Sequence, residues 1–367
     1  MPKKARIIAY YLPQFHQIPE NDDWWGEGFT EWTNVKKAKP LFRGHDQPKI
    51  PGELGYYNLL DSEVRERQAR MALEYGIDGF CYWHYWFGNS KQLLEKPFQE
   101  VLSSKKPIFG FCLSWVNTDW GGLPYGDLNN RLLMKQEYPG REDYINHFNY
   151  VLDAFKDERY LRIDDKPIFV VYNPKGLPNA KEFIDLWNNL ATLNGLKGIY
   201  FIAYAHFDYD YKANGFQALT PPSPSHLFMR VKYSLLDRLV HRISGFRLNS
   251  LLKGVPQIRN LYSHKRLVRA SNYGDIPKSI NFFPSLSPNW DHSPRSGTKA
   301  SIIINNKPKL FGQNLRNCYD RIKHNSKDEK IIFIKAWNEW GEGNYLEPDA
   351  KTGYQYLEEI KKFLSST

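Results

Sequence analysis

A chain of 367 residues with 41% hydrophobic content can bury a substantial core, as one large domain or two smaller ones. Its three cysteines, Cys81, Cys112 and Cys318, form neither a C-x-x-C pair nor a disulfide framework, and no apolar stretch approaches the roughly 20 residues that span a bilayer. The formal net charge of +10 is concentrated in one segment that lacks a recognition module, so a nucleic-acid partner is not expected. No cleavage site follows the basic Met1-Pro2-Lys3-Lys4, and a cytoplasmic enzyme is the expectation, with the basic segment leaving room for a peripheral membrane contact.

Taken in chain order, apolar runs at Ile7–Tyr11, Gly79–Trp83, Ile108–Trp115, Ile168–Tyr172, Ile199–Ala205, Gly215–Leu219, Asn281–Pro284 and Ile331–Trp337 read as strands. Helical patterns lie between them at Ser62–Tyr75, Arg141–Phe155, Asn179–Asn194 and Lys307–His324, with a last one at Gly353–Leu364. Asp61 is placed to cap the first and Gly76 to stop it. This alternation predicts an α/β fold, a (β/α)8 TIM barrel forming a single catalytic domain over residues 1–367. An open doubly wound sheet usually shows a glycine-rich turn after its first strand. Here that turn is Tyr10-Tyr11-Leu12-Pro13-Gln14-Phe15-His16, without glycine.

Polar and aromatic residues cluster where the strands end, which in a barrel is the chemical face. On this ground Tyr11, Gln14, His16, His84, Tyr85, Trp86, Trp115, Asn117, Tyr172, His206, Trp290 and Asp291 are candidate substrate contacts. Satisfied structural hydrogen bonds and ordinary core packing are the competing reading for each. Aromatic residues make up 16% of the chain, and indole and phenol rings stack on the apolar faces of sugars, although aromatic cores give the same composition.

Two insertions interrupt the pattern. The first, residues 16–60, holds Trp24, Trp25, Glu27, Glu31 and Trp32 and reads as a lid or subsite wall on the active face. The second, about 221–280, sets Arg230, Lys232, Arg238, Arg242, Arg247, Lys253, Arg259, Lys265, Arg266 and Arg269 against Asp237 and Asp275. With Val231, Leu235, Leu239 and Ile243 at helical spacing between the bases, residues 229–269 suggest contact with an anionic membrane or a lipid-linked glycan. A solvated helix on the barrel rim fits the same pattern.

The most informative stretch closes the last strand: Trp337-Asn338-Glu339-Trp340-Gly341-Glu342-Gly343. Two carboxylates beside indoles supply what cleavage of a glycosidic bond needs, one group to protonate the departing oxygen and one to support the developing charge. Crowding them in a partly dry pocket raises one pKa, so one carboxyl is protonated and the other ionised, in an order the sequence leaves open. Glu31 and Glu27 are candidate third carboxylates, with hydrogen bonding inside their own loop as the competing reading; Asn338 is a candidate hydroxyl binder, Trp337 a candidate wall, and Arg295 is available to a charged sugar substituent. His16, His84 and His206 lack the spacing of a zinc site, and no metal or cofactor is expected.

The stretches AYYLPQFHQIPENDDWWGEGFTEWTNVKKAKPLFRGHDQP, YGIDGFCYWHYWF and AWNEWGEGNYLEPD closely resemble WbsX-like proteins, whose catalytic region is similar to glycoside hydrolase family 99, the endo-α-mannosidase group. The resemblance runs from near Arg6 to near Phe363 and implies a (β/α)8 barrel acting on a polysaccharide or oligosaccharide. It places Glu339 as the base toward the substrate 2-hydroxyl, with retention through a 1,2-anhydro sugar, and Glu342 as general acid and base. Gly341 stands where the mannosidases have His, a departure that bears on the mannose preference. WbsX-like proteins have also been labelled glycosyltransferases of surface-polysaccharide synthesis, covering O-antigen, capsule and lipopolysaccharide. Asp208-Tyr209-Asp210 matches the Asp-x-Asp triplet of one transferase class, without a phosphate-cradling glycine loop. Three functions are therefore carried forward: an endo-acting glycoside hydrolase, a glycosyltransferase building the same polymer, and a glycan-binding protein without turnover.

Overall fold

The structure is a computed structural model and describes residues 3–122, 131–231 and 260–366. The eight apolar runs become parallel strands β1 (Arg6–Tyr11), β2 (Gly79–Trp86), β3 (Gly110–Trp115), β4 (Lys166–Val171), β5 (Tyr200–Tyr204), β6 (Ala218–Thr220), β7 (Ser285–Leu286) and β8 (Ile331–Ile334). Hydrogen bonds link them in the order β6-β5-β4-β3-β2-β1-β8-β7. A bridge between Leu219 and Phe282 closes the ring, making the sheet a barrel. The seventh strand is displaced from the expected 281–284: Pro284 has no N–H to give a ladder, and pairing with β8 starts at Ser285, opposite Phe333.

Helices α1 (Ser62–Glu74), α2 (Lys96–Ser104), α3 (Arg141–Lys156), α4 (Ala180–Leu193), α5 (Pro308–Ile322) and α6 (Gln355–Ser365) clothe the barrel. The Asp61 side chain accepts from Glu63 N at 2.9 Å and caps α1, as expected. Helix α2 follows β2 in a stretch where no helix was expected.

Strand register divides the side chains into two sets, because successive residues point to opposite faces. Tyr10 lies beside Cys81 and Cys81 beside Cys112; Ser114 lies beside Val170, then Ile202, then Ala218. This set faces the barrel axis. Tyr10 stacks on Trp83 at 4.3 Å and meets Phe333 at 5.4 Å and Tyr204 edge-on at 5.9 Å, contacts that only the interior allows. The opposite set meets the helices: Tyr11 donates to Gln68 of α1 at 2.7 Å, and His84 Nε2 lies 2.8 Å from His147 Nε2 of α3. The aromatic layer around Tyr10 fills the barrel and forms the floor of the cavity above it.

Of the basic segment, Lys232, Arg238, Arg242, Arg247, Lys253 and Arg259 lie outside the described residues. Arg230 pairs with Asp275 at 2.7 Å. Among the described residues no helix is long and apolar enough to cross a membrane.

Candidate active site

β8 delivers the site. Its inward positions are Phe333 and then Lys335, beyond which the chain turns and returns as an antiparallel pair, Asn338–Glu339 against Asn344–Tyr345. Asn338 fixes the departure point by accepting from Leu12 N at 2.8 Å and donating to Leu12 O at 3.0 Å. A single 3-10 turn, Trp340–Glu342, joins the two arms and ends at Gly343 with φ +64, where a side chain would press on the backbone of Asp291. Behind this turn Glu347 accepts from Trp340 Nε1 at 2.6 Å, Gln68 Nε2 at 2.6 Å and the Tyr57 hydroxyl at 2.9 Å. Burial pushes Glu347 up to about 7 even though these donors pull it down.

Glu339 and Glu342 converge on Lys335. Its Nζ lies 3.6 Å from Glu339 Oε2 and 3.3 Å from Glu342 Oε2. Glu339 also accepts from Trp83 Nε1 at 2.5 Å and Asn344 Nδ2 at 3.3 Å, while Glu342 Oε1 takes a 2.7 Å bond from Arg295 Nη1. Burial raises the pKa of Glu339, and the adjoining Glu342 adds to the rise against the pull of Lys335. Burial would raise Glu342 as well, but Lys335 and Arg295 outweigh it and hold this carboxyl well below the usual range. With Glu339 raised and Glu342 lowered, a proton taken up by the pair goes to Glu339 before Glu342.

The cavity over the pair measures about 160 Å³, on the scale of one sugar ring, and is lined by Leu12, Trp83, Tyr85, Phe87, Val116, Thr118, Asp119, Trp120, Tyr172, Arg295 and Lys335 with the two glutamates. Tyr85 and Trp120 stack at 5.1 Å to make one wall; Tyr172 stands edge-on to Trp83 at 5.6 Å. Trp290 and His292 flank Lys335, whose ammonium lies 5.2 Å from the Trp290 ring. Burial pushes His292 down to about 4, leaving it neutral near pH 7.

Glu31 reaches this site from the long loop after β1. Its Oε1 accepts from Arg295 Nη2 at 2.7 Å and Nε at 3.0 Å, and burial raises its pKa against the pull of Arg295. Arg295 thus joins Glu31 to Glu342. A methyl group on Gly341 would overlap Glu31 Oε1 and come within 2.9 Å of Arg295 Nε. The absence of a side chain at Gly341 is explained by this pair, which occupies the space beside it.

Several residues expected at the substrate lie elsewhere. Tyr11, His84, Trp86 and Trp115 face outward: Trp86 donates to Asp143 at 3.1 Å, Trp115 donates to Trp86 O at 2.9 Å, and burial pushes His84 down to about 3. Asn117 spends its amide on Tyr138 and on both backbone groups of Asn173. Gln14 is buried, and so is His16, which burial pushes down to about 4. Trp32 donates to Tyr57 O at 2.8 Å and packs on Trp340, anchoring the loop. Trp25 packs on Phe29 in that loop, His206 does not line the cavity, and Trp337 lies in the core against Phe80. Asn338 is the strand anchor described above. Asp291 accepts from Gln47 Nε2 at 2.6 Å and lies 2.7 Å from His45 Nε2, bracing the turn from the far side through its N–H to Glu342 O at 2.8 Å. Arg295 is engaged with two carboxylates instead of being open to a charged sugar. Tyr85, Tyr172, Arg295, Glu339 and Glu342 do line the cavity.

Lys335, Trp83, Asp119, Trp120 and His292 were absent from the sequence-based set. Counting by twos from Tyr10 and Cys81 would have found Trp83, and from Phe333 would have found Lys335. In the Asp208-Tyr209-Asp210 triplet, Asp208 is exposed, 3.8 Å from Lys175, and Asp210 accepts from Ala213 N.

The family model described as glycosyltransferase WbsX matches residues 7–360. Two curated relatives, each an uncharacterized protein WxcX from a strain of Xanthomonas campestris pv. campestris, are 33% identical over 364 residues, covering 98% of this chain and 50% of theirs. The chain therefore spans about half the length of the curated relatives it matches. Among solved structures, a glycoside hydrolase-like protein superposes with TM-score 0.61 at 13% identity over 100% of this chain and 95% of its own. The family 99 endo-α-mannosidase of Bacteroides thetaiotaomicron, in complex with bis-tris-propane, gives 0.56 at 14% identity over 98% and 95%. At such identities the likeness is one of fold, the (β/α)8 barrel.

Proposed function

This chain belongs to the WbsX family, and from that premise we propose that it is an endo-acting glycoside hydrolase of a complex polysaccharide, with Glu339 and Glu342 as its catalytic residues. One observation carries the reading: two buried carboxyls meet on one lysine at the mouth of a barrel, under a cavity walled by indole and phenol rings, with burial raising Glu339 and with Lys335 and Arg295 lowering Glu342. Lys335 Nζ lies within 3.6 Å of both carboxyls, and this shared contact favours the short spacing of a retaining pair over the roughly 6.5–9.5 Å of an inverting one.

The roles follow from the resemblance to family 99. The proton that rests on Glu339 first passes to Glu342, a step that leaves the net charge unchanged. Glu339 then accepts the proton of the 2-hydroxyl as O2 bonds to C1, while Glu342 protonates the leaving oxygen and the glycosidic bond breaks. Water, deprotonated by Glu342, attacks C1 of the 1,2-anhydro sugar; O2 departs and recovers its proton from Glu339. Arg295 and Lys335 are engaged with carboxylates and His292 is neutral, so the reacting sugar is proposed to be uncharged.

In the test, aryl glycosides of the cleaved oligosaccharide are compared with natural linkages. Glu342→Gln should lose on the order of a thousandfold on poor leaving groups and recover much of that on an activated aryl group. A 2-deoxy substrate that reacts at the normal rate removes Glu339 as the base. The family description keeps a glycosyltransferase as the second reading, and thermal stabilisation by a nucleoside diphosphate with manganese would favour it. A glycan-binding role would show as tight binding unaffected by Glu342→Gln, without turnover in the parent.

A further inference from the structure

Lysine at an inward barrel position is costly, since its ammonium leaves water for a site where only 8% of the residue remains exposed. What faces it explains its presence. Glu339 and Glu342 lie 3.6 and 3.3 Å from Nζ, and the rings of Trp83 and Trp290 flank it at 5.9 and 5.2 Å. From β4 and β5 come Tyr172 and Tyr204, both kept as neutral phenols by burial; from the β7 loop come neutral His292 and the Arg295 cation, the latter clamped to Glu31 and Glu342.

Two cations, Lys335 and Arg295, face three carboxyls, Glu31, Glu339 and Glu342, so charge in this cluster balances when one carboxyl holds a proton. A buried cluster that loses one cation restores neutrality most cheaply by taking up a proton. We propose that Lys335 is a positioning residue that fixes the glutamate pair at one proton, keeping one carboxyl as acid and the other as carboxylate. Burial works against the ammonium, yet the two glutamates hold its pKa well above the usual lysine value, so the cation persists across the working range. Lying nearly midway, it stabilises charge on either carboxyl, which is what a pair that must exchange its proton during turnover requires. This inference rests on the proposed hydrolase reading for its purpose, but not for its test.

Infrared difference titration of the free protein counts protonated carboxyls without any glycan. At pH 7 the parent should show a buried carboxylic-acid band that Glu339→Gln removes, separate from that of Glu347, which titrates at about 7 and which Glu347→Gln removes. Lys335→Met should add a second such band, with Lys335→Gln as the alternative neutral variant should the first fail to fold, and Lys335→Arg should keep the parent count. In turnover, the acid limb of the kcat/KM profile should move up past neutrality in the neutral variants and stay in place in Lys335→Arg. An unchanged band count in both neutral variants, or a parent without the Glu339-dependent band, overturns the proposal. Absence of hydrolysis by the parent would instead remove the hydrolase reading and leave the band count to decide the role of Lys335.

Discussion

At the end of β2 the inward and outward rows both carry aromatic and polar residues and meet opposite fates. Trp83 and Tyr85 of β2 line the cavity, while His84 and Trp86, one residue away, are locked against α3 through His147 and Asp143. Both rows are aromatic and polar, and both end at the same face. What separates them is the two-residue period of the strand: one row meets the space over the glutamates, the other meets helices. Polar residues at strand ends thus do two jobs, and only parity tells which.

The sharpest way to break this comparison is to remove a carboxyl from the inward row. Glu339→Gln and Glu342→Gln should each cost about a thousandfold or more in kcat while leaving the melting temperature within a few degrees of the parent. Equal rates in either variant would dissolve the contrast. Next comes Gly341→Ala, which must displace the Glu31–Arg295 pair and with it the Arg295 bond to Glu342; misplacing a catalytic group by an ångström costs on the order of a hundredfold in rate. Glu31→Ala combined with Gly341→Ala relieves the overlap, so a double variant no better than the single would show that Arg295, not Glu31, carries the effect.

On the outward row, Asn117→Ala takes the acceptor from Asn173 N, while Tyr138 keeps its bond to the Asn117 carbonyl, and should cost about 1–3 kcal/mol of stability, with kcat/KM unchanged below the unfolding transition. A lowered kcat/KM in the folded variant would put Asn117 back at the substrate. The smallest effect is a pH dependence behind the catalytic turn. Glu347 titrates at about 7 when folded, against roughly 4.3 in an unfolded chain, so the folded protein binds that proton more tightly. Its stabilising contribution is full below about pH 4 and is lost as pH rises through about 7. The melting temperature should therefore fall by a few degrees between about pH 6 and pH 8, and Glu347→Gln should flatten that slope.

The barrel was legible because each strand is an apolar run and most of the long helices follow one, and because Asp61 signals its helix directly. The two glutamates were legible for a local reason as well, sharing seven residues with two indoles. Lys335 was not, since a lysine after Ile331-Ile332-Phe333-Ile334 looks like the exposed end of a strand, and its burial depends on Trp83 of β2 and Trp290 of the loop after β7. The Glu31–Arg295 bond joins residues 264 apart, a separation that no periodicity reports. Gly341 shows the reverse case: a departure visible in the sequence whose cause, a carboxylate from another loop filling the space, is visible only in three dimensions.

The central claim is that the pair on the β8 turn cleaves a glycan without help from an activated sugar. Purified protein incubated with a panel of bacterial surface polysaccharides, no nucleotide-sugar being present, should release oligosaccharides with new reducing ends, and Glu342→Gln should release almost none. Polymer that stays intact under those conditions, but grows when a nucleotide-sugar is added, would contradict it.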